Sequence, residues 1–183
     1  MYGIELLLEE HQNIIRFTEV LRAYCKKLMK GAEVDVTFLR DCVAFGRNYA
    51  DAHHHGKEEK ILFKIMLDTM GPIAEKLVRN GMLVEHDLGR LHMGGLDTAL
   101  TAWEEKPTDD IKLDIICHAS GYADLLRRHI EKEDAVVYTF AERELSDERK
   151  EQVNQETKVF EEEETKNRIQ DKYLSWLNKQ MED

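Results

Sequence analysis

Proline and glycine are scarce in this chain of 183 residues, which contains only 2 and 10 of them. Because both residues interrupt regular secondary structure, their scarcity favours long helices over a sheet with many turns. No stretch approaches the roughly 20 apolar residues that a membrane-spanning helix needs. The amino terminus, MYGIELLLEEHQ, also lacks the basic segment of a secretory signal. We therefore expect a soluble, cytoplasmic, helical protein without a membrane partner.

Basic residues are outnumbered, since 26 Lys and Arg stand against 37 Asp and Glu and give a net charge of -11. Such a charge repels the phosphate backbone of nucleic acids, so we expect no nucleic-acid partner. The cysteines, Cys25, Cys42 and Cys117, are odd in number and widely spaced, which argues against a disulfide framework or a cysteine-based zinc site. As binding partners, small ligands or metal cations fit this composition better than nucleic acids do.

The few helix breakers divide the chain into segments of helical length. They are Gly31, the Gly71-Pro72 pair, the Asn80-Gly81 pair and Pro107. They predict helices over residues 3–30, 35–69, 73–104 (interrupted near Gly81) and 108–144. Ser146 is a candidate cap for a fifth helix. We expect a bundle domain over residues 1–145 and a C-terminal helical extension over 146–183 that packs on or beside it. A charged, fraying helix is the alternative for that extension.

An internal repeat is visible at an offset of 75 residues, the separation of His11 and His86. At the same offset His54 falls on His129 and Glu58 falls on Glu133. In each half, one predicted helix carries a lone histidine and the next carries His-x-x-x-Glu. That i, i+4 spacing places an imidazole and a carboxylate on one helical face. The pattern predicts a duplicated αα-hairpin.

The repeated residues lie on the apolar faces of their predicted helices. His129 and Glu133, for example, continue a stripe that includes Leu125 and Val136. An ionised glutamate in an apolar core costs several kcal/mol unless a cation or hydrogen bonds compensate it. Two such glutamates on neighbouring helices could bridge two metal ions about 3.5–4 Å apart. The predicted metal ligands are His11, His54, Glu58, His86, His129 and Glu133.

Neighbouring residues leave parts of this ligand set open. A single histidine on an apolar face is more often a hydrogen-bonded core residue than a ligand, and only the repeat outweighs that interpretation. Glu59 and Asp134 lie about 100° around the helix from the chosen glutamates and are second choices as carboxylate ligands. His55 is either a surface residue or an additional ligand.

Four segments of the chain carry a family resemblance. They are EEH at 9–11, HHGKEEKILF at 54–63, VEHDLGR at 84–90 and RRHIEKEDAVVY at 127–138. Together they resemble the hemerythrin, or HHE cation-binding, family over about residues 1–145. The resemblance implies an all-α, up-down four-helix bundle with two non-haem iron ions. The two glutamates of the His-x-x-x-Glu pairs would bridge the irons, and the histidines would fill the outer positions.

One position departs from the oxygen carriers of that family, which have a second histidine four residues after the one matching His86. This chain has Arg90 there, and His92 lies about 240° around the helix from His86. One iron would then lack a nitrogen ligand, and the candidate replacements are His55, ranked first, Tyr122 and Glu85. Arg90 is a candidate hydrogen-bond donor to a bridging carboxylate or to a bound oxygen species.

The resemblance predicts a di-iron protein that binds O2 or a related small oxidant, such as nitric oxide or peroxide, for sensing, scavenging or storage. We expect a metal- and O2-binding protein more than an enzyme. One alternative is a di-iron enzyme that reduces peroxide or nitric oxide or oxidises ferrous iron. Another is a helical interaction module with a vestigial metal site, suggested by the acidic C-terminal extension. Manganese or zinc would also suit histidine and carboxylate ligands.

Overall fold

A computed structural model describes residues 1–182, except the side chains of residues 166 and 167. Within this range the protein is all-helical and contains no β-strand. The α-helices are α1 (Tyr2–Met29), α2 (Val36–Phe45), α3 (Phe63–Thr69), α4 (Gly71–Leu77), α5 (Leu83–Glu105), α6 (Asp109–Lys132), α7 (Tyr138–Glu144), α8 (Asp147–Asn167) and α9 (Ile169–Glu182). π-helical turns occupy Gly46–His55, Glu58–Leu62, Val78–Met82 and Glu133–Val137. No helix of the described range is long and apolar enough to span a membrane.

The helix ends follow local sequence signals. Asp35 caps α2 by accepting a hydrogen bond from the Phe38 backbone at 3.0 Å, and the Thr108 and Ser146 side chains cap α6 and α8 in the same way. Gly31 has a positive φ of 94°, a conformation that glycine adopts without steric penalty. The predicted helix 35–69 is α2, two π-helical turns and α3, so the π turns lie inside helical segments that the pattern had predicted as α-helix.

The bundle core consists of two apolar clusters with a polar layer between them. One cluster includes Ile4 and Leu7 of α1, and the other includes Ile14 and Phe17 of the same helix. His11 lies between these two pairs along α1 and is fully buried. Helix α6 packs along both α1 and α5, and α2 packs along α5. The packing therefore brings polar residues of several helices together at the level of His11.

The C-terminal helices pack against the rest of the bundle. Helix α8 contacts α1 and the π turn Glu58–Leu62, whereas α9 contacts α1 and the π turn Gly46–His55. Val153 of α8 and Leu177 of α9 are buried. A charged, fraying helix, the alternative interpretation of this segment, would lack such contacts. The division into a domain over 1–145 and an extension over 146–183 stays a prediction.

Gly3 allows a close approach of α1 to α8. A Cβ atom at Gly3 would lie 2.9 Å from Val153 Cγ1 and 3.0 Å from Thr157 Oγ1, on two buried side chains. We predict that Gly3→Ala lowers the free energy of unfolding by about 1–3 kcal/mol, because β-branched neighbours cannot rotate away. Gly94→Ala in α5, where a Cβ meets nothing within 4 Å, should raise it by about 0.5–1 kcal/mol. Urea unfolding measures both changes, and an unchanged stability of Gly3→Ala would contradict the close contact.

Candidate metal centre

The six residues identified by the repeat meet inside the bundle, and all of them are buried. They belong to two overlapping groups, in each of which one ligand atom per residue lies within 4.8 Å of the others. The first group is His11, His54, Glu58 and Glu133, and the second is His55, Glu58, His86 and His129. Glu58 belongs to both groups, and Glu133 Oε1 lies 3.7 Å from His86 Nε2. Two carboxylates therefore lie between two sets of histidines, and we name these seven residues the histidine–carboxylate cluster.

π-helical turns carry several of the clustered residues. Their i→i+5 hydrogen bonds widen the helix locally, and such turns are frequent at functional sites. In an α-helix, three consecutive residues spread over about 200°, so one of them is expected at the surface. In the π turn Gly46–His55, however, His53, His54 and His55 are exposed by only 0%, 1% and 3%. His54 and His55 join the cluster, and His53 contacts Glu10 instead.

Each clustered histidine has a carboxylate at its Nδ1 atom. The pairs are His11 with Asp134 at 2.6 Å, His54 with Glu10 at 2.9 Å, His55 with Asp51 at 3.3 Å, His86 with Glu59 at 2.7 Å and His129 with Glu85 at 3.0 Å. A carboxylate that accepts from Nδ1–H fixes the tautomer whose Nε2 lone pair is free. In all five rings, Nδ1 is thereby held toward a carboxylate.

Six buried atoms of the cluster make no hydrogen bond within the described part of the chain. They are the Nε2 atoms of His54, His86 and His129, Oε2 of Glu58 and both carboxylate oxygens of Glu133. A single buried polar atom without a partner costs about 1–3 kcal/mol, and more when it is charged. Imidazole nitrogens and carboxylate oxygens are ligands of divalent transition metals. The donor set and its unmet hydrogen-bonding capacity therefore fit metal ions.

Protons replace the missing positive charge when the cluster holds no metal. Burial and the neighbouring Glu133 carboxylate raise the pKa of Glu58 well above its usual range. Burial opposes the ionisation of Glu133, but His129 and His11 outweigh it and hold the pKa of Glu133 well below its usual range. Burial also disfavours protonated His11 and His129. Even so, the hydrogen bond to Asp134 raises the pKa of His11 to about 9, and the Glu133 charge raises that of His129 to about 10.

The repeat also includes the carboxylates that contact the Nδ1 atoms of the histidines. The contact of Glu10 with His54 corresponds to the contact of Glu85 with His129. In the same way, the contact of Glu59 with His86 corresponds to the contact of Asp134 with His11. Glu59 and Asp134, the second choices as metal ligands, therefore lie on the Nδ1 side of histidines. Glu85, a candidate replacement ligand, has the same position. These carboxylates orient the rings, and their atoms are not among the two groups of candidate ligand atoms.

The two halves of the repeat differ beside the cluster. His55 has an isoleucine at its repeat-related position, so only the second group contains a third histidine. Tyr138 corresponds to Phe63, and its hydroxyl donates to Glu58 Oε1 at 2.5 Å and lies 3.3 Å from His11 Nε2. Sequence reasoning did not select Tyr138. Both halves of the repeat have an aromatic residue at this position, but only Tyr138 has a hydroxyl. That difference is the signal that would have identified it.

Arg90 supports the cluster from outside. Its guanidinium lies 2.8 Å from Asp51 Oδ1 and 2.7 Å from Glu59 Oε1, the carboxylates behind His55 and His86. No hydrogen bond from Arg90 to Glu58 or Glu133 is among the contacts of the described residues, and its role toward a bridging carboxylate or a bound oxygen species stays a prediction.

A cavity of about 260 Å³ borders the second group of the cluster. His55 and His86 form part of its wall, together with Gly89, Arg90 and Tyr122. Tyr122, a candidate replacement ligand, thus lines this cavity, and its role as a ligand stays a prediction.

One of three comparisons with known proteins identifies a family for this chain. A family model described as the hemerythrin HHE cation binding domain matches residues 2–141. No curated protein and no solved structure matches the chain with significant similarity. The matched segment contains the whole histidine–carboxylate cluster and Tyr138, and it ends before α8.

Metal binding to the metal-free protein is predicted to release protons at pH 7. His11 and His129, with pKa values of about 9 and 10, are protonated at that pH and must become neutral to bind a metal. The apparent affinity should therefore rise with pH over the range up to these values. Calorimetric titration with Zn(II) in two buffers of different ionisation enthalpy measures the released protons. Equal heats in the two buffers would contradict the charge state described above.

Proposed function

The chain belongs to the hemerythrin HHE cation-binding family, and on that premise we propose a non-haem di-iron protein that binds O2 or a related small oxidant. Sensing, scavenging or storage of the oxidant would be its role. The observation that carries this proposal is the convergence of buried imidazole nitrogens and carboxylate oxygens in one cluster, where six of these atoms make no hydrogen bond with the described residues. The proposed ligands are His11, His54, Glu58, His86, His129 and Glu133, with His55 as a seventh.

We also infer the finer arrangement of the bundle and its cellular setting. An up-down four-helix bundle with a duplicated αα-hairpin is supported by the packing of α6 on α1 and α5 and by the repeat-related contacts around the cluster. The free cysteines Cys25, Cys42 and Cys117 support a reducing, cytoplasmic setting.

The proposed ligands serve the two iron positions unequally. His55, His86 and His129 provide three nitrogens on one side, whereas His11 and His54 provide two on the other. Glu58 and Glu133 lie between the sides and can serve both. The side with two histidines therefore has one nitrogen ligand fewer, which would leave a coordination position for an exogenous ligand.

Tyr138 gives that side a hydrogen-bond donor. Its hydroxyl is buried, donates to Glu58 Oε1 and lies beside His11 Nε2. A pair of iron ions, when bound, supplies electrons to a small oxidant. If the Tyr138 hydroxyl turns from Glu58 toward the oxidant, its single hydrogen would stabilise the negative charge that develops there. The apolar clusters above and below the site keep bulk water away from it.

The first test is the metal content of anaerobically loaded protein. We predict about two irons per chain, and an iron-dependent charge-transfer absorption after exposure to air. His54→Ala and Glu133→Ala should lose iron, because each removes a proposed ligand. His92→Ala is the matched control, since His92 packs against His118 outside the cluster. Wild-type protein without iron, or variants that retain it fully, would refute the proposal.

His55 has a test of its own. Burial, and then the His86 ring, hold its pKa well below the usual range, so the imidazole is neutral and ready to bind a metal. We predict that His55→Ala lowers iron binding at the side with His86 and His129, so that the iron content after dialysis falls from two toward one. Retention of both irons with unchanged affinity would show that His55 is a buried histidine without a ligand role.

A second candidate function, a di-iron enzyme, is favoured by the cavity beside His55 and His86. Its volume of about 260 Å³ has room for a small reactant next to the two histidines. The third candidate, an interaction module with a vestigial site, is disfavoured because every histidine of the cluster still has its orienting carboxylate.

The enzyme candidate predicts turnover of peroxide, nitric oxide or ferrous iron above the rate with free iron. Gly89→Leu should slow that turnover several-fold, because Gly89 lines the cavity and a larger side chain fills it. Gly94→Leu in the same helix is the control, since a Cβ at Gly94 meets open space. Absence of turnover in the iron-loaded wild type would reject this candidate and leave the binding function standing.

A further inference from the structure

Two equivalent arms of charged residues lead outward from the cluster. In each arm a lysine ammonium donates to a glutamate, and that glutamate accepts a hydrogen bond from the Nδ1 atom of a clustered histidine. The arms are Lys57–Glu10–His54 and Lys132–Glu85–His129, and the 75-residue repeat relates them residue by residue. The two arms therefore consist of the same residue types in the same order.

Among the described residues, the C-terminal helices contact only one of these arms. The side chain of Lys57 is 1% exposed, whereas that of Lys132 is 50% exposed. Glu161 of α8 accounts for part of the difference, because its Oε1 atom lies 2.5 Å from Lys57 Nζ. Gln170 of α9 donates to Glu161 Oε2 at 2.8 Å. Among the described contacts, the Lys132 arm has no counterpart of Glu161.

The buried arm depends on Glu161 for its charge balance. A buried ammonium is strongly unfavourable unless acidic groups pair with it. Glu10 is shared, since it also accepts hydrogen bonds from His53 and His54, both at 2.9 Å. Glu161 supplies the second carboxylate, and so allows Lys57 to stay buried while Glu10 faces His54.

This part of the arm has the donor geometry of a cation site. Glu10, His53 and Glu161 are close enough together to hold a metal ion. The Lys57 ammonium, however, contacts both carboxylates of that group and takes the position of the cation. The group therefore serves to anchor Lys57.

We propose that Glu161 is a positioning residue of the metal centre, although it lies outside the segment that the family model matches. It acts through Lys57 and Glu10 to hold the His54 ring in its ligand orientation. The position served by His11 and His54 thus depends on the docking of α8 and α9, and the opposite position does not. This inference rests on the proposed metal-binding function.

The test is a titration of the metal-free, full-length protein with Co(II), followed by visible absorption and by metal content after dialysis. Glu161→Gln should weaken one of the two metal positions by about 10–100-fold, the range expected for loss of an outer hydrogen-bonding partner, and leave the other unchanged. Glu162→Gln, on an exposed neighbour in the same helix, is the control and should titrate like the wild type.

A double-mutant cycle separates positioning from general stability. If Glu161 acts through Lys57, Glu161→Gln should have no further effect on Co(II) affinity in a Lys57→Met background. Equal weakening of both positions, together with a lower unfolding temperature of the metal-free variant, would overturn the proposal, as would a Glu161→Gln protein that titrates like the wild type. A wild type that binds no Co(II) would instead refute the proposed function itself.

Discussion

The fold depends on the balance of charge around two carboxylates, Glu58 and Glu133, which are 0% exposed in the middle of a helical bundle. Their charge cannot be stabilised by water, so it must be met from inside. The surrounding histidines present Nε2 atoms toward them, and a further carboxylate orients each ring. A pair of cations satisfies this arrangement with all the histidines neutral, whereas protons on His11, His129 and Glu58 satisfy it only in part. The same balance of charge therefore governs both metal binding and the stability of the polar layer.

Six of the seven residues of the histidine–carboxylate cluster could be predicted, because their positions depend on spacing within helices. The i, i+4 relation fixes which His and Glu share a face, and the repeat removes the ambiguity of single histidines. His55 could not be predicted with the same argument, because its burial requires a π-helical turn where regular α-helix was assumed. Tyr138 and Glu10 contact the cluster across helices, and spacing within one helix does not report such contacts. The choice of iron comes from family membership, since the donor atoms also suit other divalent metals.

The C-terminal extension shows how a nearly symmetrical site becomes asymmetrical. Its acidic composition left a solvated, fraying helix as the alternative to a packed one, and Glu161 turns toward the bundle and pairs with a buried lysine. His55 on one side and Tyr138 on the other add to the difference between the two halves. The cluster thereby has three histidines on one side, and two histidines with a tyrosine hydroxyl on the other.

Anomalous X-ray scattering at the iron absorption edge, from crystals of the iron-loaded protein, tests the central claim most directly. The account predicts two peaks about 3.5–4 Å apart, both between Glu58 and Glu133, with the clustered histidines around them. It would be contradicted by crystals in which that space contains no metal and the two carboxylates turn to solvent, or in which iron lies only at the Glu10, His53 and Glu161 group.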